Sequence, residues 1–154
     1  ARIEDLFLAG QTERLARVSE QPDDADARMA IALHLLGHVE AGLCAPERAS
    51  AELDLALAHL RRAIGLDPLR RDIRVAVAKV QLHLGNAQEA VHHMASIEHP
   101  LSDGEIMVYG EALYRTFRWD ELRQVLSRIE QRTEVSLSLR RIATLWNKPE
   151  EASA

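Results

Sequence analysis

The stretch Val75-Ala76-Val77-Ala78-Lys79-Val80-Gln81-Leu82-His83-Leu84-Gly85-Asn86-Ala87-Gln88-Glu89-Ala90 lines up with Met107-Val108-Tyr109-Gly110-Glu111-Ala112-Leu113-Tyr114-Arg115-Thr116-Phe117-Arg118-Trp119-Asp120-Glu121-Leu122, an offset of 32 residues. In both copies apolar side chains recur at the three- and four-residue spacing that gathers them on one face of a helix. A break at Gly85-Asn86, matched by Phe117-Arg118, is followed by renewed periodicity. Each copy therefore reads as a helix, a tight turn and a second helix. Small Ala78 aligns with small Gly110, and Glu89-Ala90 aligns with Glu121-Leu122. Repetition at such a period marks supersecondary units that stack because none can cover its own apolar face.

The same punctuation extends outward. Gly10 separates helices expected over residues 2–9 and 12–20. The Gln21-Pro22-Asp23-Asp24 break then supplies a carboxylate able to accept the orphan N–H groups of a helix over 25–43. Pro46 suits a first turn and opens a helix over 47–65, which Gly65-Leu66-Asp67-Pro68 closes because Pro68 restricts the residue before it. Helices over 69–84 and 87–97 follow, with Asn86 and Glu89 at capping distance. Ser102 and Glu105 form a better capping box for a helix over 103–116. Arg118-Trp119-Asp120 leads into a helix ending near Gln131, and a last one over 134–146 aligns Val135, Leu139, Ile142 and Trp146. Residues 148–154 read as a polar tail.

Composition agrees with an all-α domain. The chain has 154 residues, 47% hydrophobic and 28% charged, which supports a folded core; only 4% are aromatic, and the abundance of Ala and Leu favours helix. The formal charge of −5 argues against nucleic acid or an anionic membrane as the main partner. No apolar run reaches the ~18 residues of a membrane span. The start at Ala1 lacks a secretory h-region and reads as a processed form or an excised domain.

At residues 71–131 the pattern resembles the tetratricopeptide repeat (TPR) family, whose units are helix pairs of roughly 34 residues with small side chains where helices cross. Val77, Ala78, Gly85, Ala90, Met94 and Ile97 occupy that pattern in one unit, and Tyr109, Gly110, Leu113, Trp119, Leu122, Leu126 and Ile129 in the next. An earlier unit, residues 25–66, carries Ile31-Ala32, Leu35, Leu60, Ala63 and Asp67-Pro68, with extra residues that predict longer helices. The resemblance implies a right-handed α-solenoid of antiparallel helix pairs within residues 1–147, closed by a C-terminal capping helix. It implies a concave groove that binds a partner peptide or helix, hence a scaffold or adaptor rather than an enzyme. A multi-protein assembly is the expected setting, with a membrane-attached envelope or secretion component as one context and either cytoplasm or periplasm as the compartment.

In that register the groove is lined by Asp26 and Met29; by Asp72, Val75, Lys79, Leu82 and His83; and by Met107, Glu111, Tyr114 and Arg115. The methionines, Val75 and Tyr114 offer adaptable apolar contact, and Lys79 and Arg115 suit acidic groups. Lys79 and Arg115 also partly resemble the carboxylate clamp of TPR domains that bind chaperone C termini. Glu111, however, stands where a clamp residue is expected. Leu33, Leu36, Leu55 and Leu57 exceed what one apolar stripe needs, which makes self-association through the long helices the alternative reading.

Chemical constellations are sparse. His34 and His38 share a helical spacing suited to a metal, but the residues between them lack the Glu of a zinc-protease motif. His92 and His93 diverge on a helix, and His99 sits at a helix end. Cys44 has no second cysteine and no adjacent base, so it reads as a small structural thiol. Arg61, Arg62, Arg70, Arg71 and Arg74 cluster around Pro68 without interleaved aromatics, a solvated turn rather than an RNA site. No phosphate loop, nucleophile elbow or paired-carboxylate cleft is present. The expectation is no catalytic residue, no metal and no cofactor.

Overall fold

Among the described residues, helices end for local reasons. The computed structural model describes residues 24–132 and 135–153, with side chains as far as Asn147. Among them are seven helices and no strand: α1 (Ala25–Glu40), α2 (Pro46–Leu66), α3 (Arg71–His83), α4 (Ala87–Ala95), α5 (Asp103–Arg115), α6 (Trp119–Glu130) and α7 (Leu137–Ser153). The helices expected over 2–9 and 12–20 lie outside the described residues.

Asp24 caps α1, its Oδ1 accepting the Asp26 N–H at 2.9 Å. Pro46 opens α2, and Asp67 closes it. The capping box is formed at α5: the Ser102 Oγ accepts from the Glu105 N–H at 3.2 Å while Glu105 Oε1 accepts from the Ser102 N–H at 2.8 Å. At α4 the expectation fails, since Asn86 holds the N-cap position without a side-chain capping bond. The last helix starts later than expected and continues through Ser153, over the stretch read as a polar tail. Glu150, Glu151 and Ala152 all favour helix.

Helix boundaries keep the repeat. α3 and α5 are both 13 residues long, and the starts of α3 and α5, like those of α4 and α6, are 32 residues apart. The earlier helices are longer, at 16 and 21 residues, as the extra sequence between the matched halves requires.

The chain divides into two units between Leu84 and Gly85. In the first, Met29, Ala32, Leu35 and Leu36 of α1 pack with Leu53, Ala56, Leu57, Leu60 and Ala63 of α2 and with Ile73, Ala76, Val77 and Val80 of α3. Each set follows helical spacing, and the completely buried Ala56 and Ala63 let neighbouring helices approach closely. Burial of a side chain such as Leu60 contributes about 1.5 to 3 kcal/mol. Of the surplus leucines, Leu36 and Leu57 enter this core while Leu33 and Leu55 stay exposed.

In the second unit α5 is central and meets α4, α6 and α7. Its buried Ile106, Ala112 and Leu113 are matched by Ala90, Val91 and Met94 of α4, by Leu122, Val125 and Leu126 of α6, and by Leu139 and Trp146 of α7. Gly110 has a specific use here. A Cβ at that position would overlap the six-membered ring of the Trp146 indole. The small residue read as a crossing point between paired helices is thus the seat for the tryptophan of the terminal helix.

Candidate functional site

The α5–α6 turn is where local structure departs from what its residues favour. The Arg118 N–H donates to the Leu113 carbonyl at 3.0 Å and the Phe117 N–H to the Tyr114 carbonyl at 3.3 Å. This is the Schellman pattern, whose left-handed residue is usually glycine. Gly85, the matched residue of the other copy, adopts φ 84°, and Phe117 adopts φ 57°. A bulky side chain there carries a backbone cost of roughly 1 to 2 kcal/mol. Phe117 is nevertheless 74% exposed, so core burial does not offset that cost.

Three aromatic rings meet at this corner. Trp119 stands edge-on to both Tyr114 and Phe117, with centroids 5.8 Å apart in each pair. Tyr114 belongs to the sequence-derived groove set, as do its neighbours on α5. Arg115 Nε donates to Glu111 Oε1 at 2.9 Å, and the other Glu111 oxygen lies 3.4 Å from the Trp146 Nε1–H. Met107 is half-buried one turn earlier. Glu111 therefore engages Arg115 and orients Trp146. The sequence aligns Phe117 with the turn residue Gly85 but does not place it among the groove residues.

On the first unit the groove positions fall along α1 and α3, which run side by side in the same direction. Arg70 links their starts, donating to Asp26 and, through Nε and Nη2, to both Asp72 oxygens at 3.0 and 2.8 Å. The Asp72 carboxyl is held below its ordinary range, first by the side-chain hydrogen bond from Arg70. At the other end His83 Nε2 lies 3.6 Å from Glu40. Between these ties Lys79 is exposed and Val75 half-buried. Met29 and Leu82 are buried, Met29 within the core, so neither presents its side chain on an open surface. Arg74 of the basic cluster donates to the Pro68 carbonyl at 3.0 Å, closing the turn it sits on.

The α1–α2 hairpin contains a second polar arrangement. His38, 3% exposed, places Nδ1 2.9 Å from Glu52 Oε2, and Glu52 is itself 8% exposed. Glu52 Oε1 is buried and has no hydrogen-bond partner among the described residues. Cys44, half-buried in the connecting loop, completes a group whose potential ligand atoms all lie within 4.8 Å of one another. His34, which shares helical spacing with His38, is exposed and takes no part in this group. Further along the hairpin Arg28 Nη1 lies 3.0 Å from His59 Nδ1. Burial and the Arg28 charge push His59 below its ordinary value.

A cleft of about 550 Å³ opens in the second unit between Leu101, Ile106 and Val125, rimmed by His99, Arg128 and Arg132. Arg132 is committed to Asp103 at 2.6 Å and to the Leu101 carbonyl, and Arg128 Nη1 lies 2.9 Å from His99 Nε2. None of the sequence-derived groove residues lines this cleft. Compared with known protein families, with curated proteins and with solved structures, the chain matches none.

Proposed function

We propose that this chain is a protein-interaction module of tetratricopeptide type, a right-handed stack of helix pairs that holds a peptide or helix of another protein. The observation that carries the reading is Phe117, an exposed aromatic kept in a left-handed turn position that its matched residue fills with glycine. A strained, largely exposed ring, held only by its edge contact with Trp119, points to use by a ligand. Phe117, Trp119 and Tyr114 together give an apolar platform with polar edges, the surface chemistry favoured at interaction hot spots. The 32-residue recurrence of helix boundaries supports the modular part of the proposal. A multi-protein assembly, such as an envelope or secretion apparatus with a membrane-attached member, is the setting we favour.

The test replaces Phe117 by glycine and, separately, by a photo-crosslinking phenylalanine analogue. The analogue is expected to capture one discrete partner in cells. Phe117→Gly is expected to lose that partner in pull-down while retaining its helical circular dichroism. Equal recovery of the partner by Phe117→Gly would overturn the assignment.

A second reading, self-association, is favoured by exposed leucines in the first unit: Leu33, Leu43, Leu55, Leu66 and, at 92% exposure, Leu69. Sedimentation across concentration decides it. A dimer that Leu33→Glu/Leu55→Glu dissociates supports this reading, and a strict monomer removes it.

A further inference from the structure

We propose that His38, Cys44 and Glu52 form a binding site for one divalent transition-metal ion, zinc being the natural occupant. Three elements deliver the ligands. His38 comes from the last turns of α1, Cys44 from the loop at residues 41–45, and Glu52 from the second turn of α2. Their imidazole nitrogen, thiol sulfur and carboxylate oxygen already lie within 4.8 Å of one another. Tetrahedral zinc with bonds of about 2.0 to 2.3 Å sets ligand atoms roughly 3.3 to 3.7 Å apart. Adopting that geometry requires a slight opening of the His38–Glu52 contact from 2.9 Å and brings the Cys44 thiol, already within 4.8 Å of both, to bonding distance.

The second observation is the carboxylate itself. Glu52 is more than nine-tenths buried, yet its Oε1 has no hydrogen-bond partner among the described residues. A buried acceptor left unpartnered keeps its full desolvation penalty. A cation at the cluster gives that oxygen a partner and lets Glu52 coordinate through either oxygen.

The donor set selects the ion. One thiolate, one imidazole and one carboxylate suit zinc and its neighbours, and disfavour calcium or magnesium, which require oxygen ligands throughout. Coordination releases the Cys44 thiol proton to solvent, because the thiolate is the ligand form. Three protein ligands leave a fourth position for water or for a side chain of a partner. The ion would tie the end of α1 to the start of α2 across the loop.

The experiment uses the full chain, reduced and stripped with chelator, titrated with Zn²⁺ by calorimetry and with Co²⁺ by absorption. The expected result is one equivalent bound, with thiolate-to-cobalt charge transfer in the near ultraviolet and intense tetrahedral bands in the visible. Cys44→Ser should abolish the charge-transfer band and weaken zinc binding by at least the roughly 10- to 100-fold that loss of a mere supporting contact costs, whereas His34→Gln should alter neither. Cys44 lies half-buried in the loop, so the variant is expected to fold, and circular dichroism of the apo forms checks this. Absence of a charge-transfer band in the wild-type cobalt spectrum overturns the proposal whatever the variants do. So does zinc affinity that is unchanged in Cys44→Ser or that is lost in His34→Gln.

Discussion

The two units bring helices together by opposite means. In the α1–α2 hairpin the apolar core is accompanied by polar contacts, a part-buried one of Arg28 to His59 at 3.0 Å and a buried one of His38 to Glu52 at 2.9 Å. Around α5 the decisive contact is apolar, the Trp146 indole lying on the bare backbone of Gly110. Polar contacts in a low-dielectric interior fix one arrangement but leave any unpaired atom costly. A tryptophan on glycine fixes the arrangement by shape, with a single polar tie from its Nε1–H to Glu111. The first unit should therefore respond to charge and pH, and the second to volume.

Removing the indole should have the largest effect. Trp146→Ala is expected to destabilise the second unit by about 3 to 5 kcal/mol. Filling its seat with Gly110→Ala should cost about 1 to 3 kcal/mol. Both tryptophans of the chain lie in this unit, so urea titration followed by fluorescence isolates it, with Trp119 as the reporter in Trp146→Ala. A Gly110→Ala protein as stable as wild type would break the comparison.

Next comes the hairpin. Glu52→Ala removes the carboxylate that the buried His38 imidazole faces, and the expected loss is about 1 to 3 kcal/mol. Replacing both His38 and Glu52 by leucine should recover most of that, as apolar substitutes for buried pairs often do. Chemical denaturation followed by circular dichroism checks the cycle.

A smaller effect is expected at the two matched turns. Nothing stands within 4 Å of a Cβ added to Gly85, so Gly85→Phe tests backbone strain alone and should cost about 1 to 2 kcal/mol. In Phe117→Gly the relief of that strain is offset by the lost ring contact with Trp119, about 0.5 to 1.5 kcal/mol, so thermal stability should change little. A large loss of stability in Phe117→Gly would mean that the ring serves the fold rather than a partner.

The pH responses should be the mildest and should differ between units. His59 is held neutral below its ordinary value of 6.5, chiefly by burial and then by Arg28. The unfolded chain accepts that proton more readily, so the stability contributed is full above 6.5 and declines as pH falls below it. Asp103 is depressed from 3.8, first by the Ser136 backbone N–H and also by Arg132. Its contribution is complete above 3.8 and is lost only as pH falls through the lower folded value. Urea midpoints at pH 7 and 5 should therefore fall less in His59→Gln than in wild type, while Asp103→Asn should flatten the response only in stronger acid.

Helices and repeat register were legible because they depend on local signals: apolar spacing, Pro46 at a first turn, Ser102 with Glu105, and the offset that pairs Gly85 with Phe117. Period and punctuation act within a few residues, so the chain carries them openly. The partners of individual side chains were not legible. The residues between His38, Cys44 and Glu52 form no familiar motif, and a turn had to fold the hairpin before Glu52 faced an imidazole 14 positions earlier. Gly110 announced a close approach without naming Trp146, and Met29 looked like a surface residue until α2 and α3 covered it. Local sequence determined where helices begin and end, whereas tertiary packing decided which face each one hides, because burial depends on neighbours brought from elsewhere in the chain.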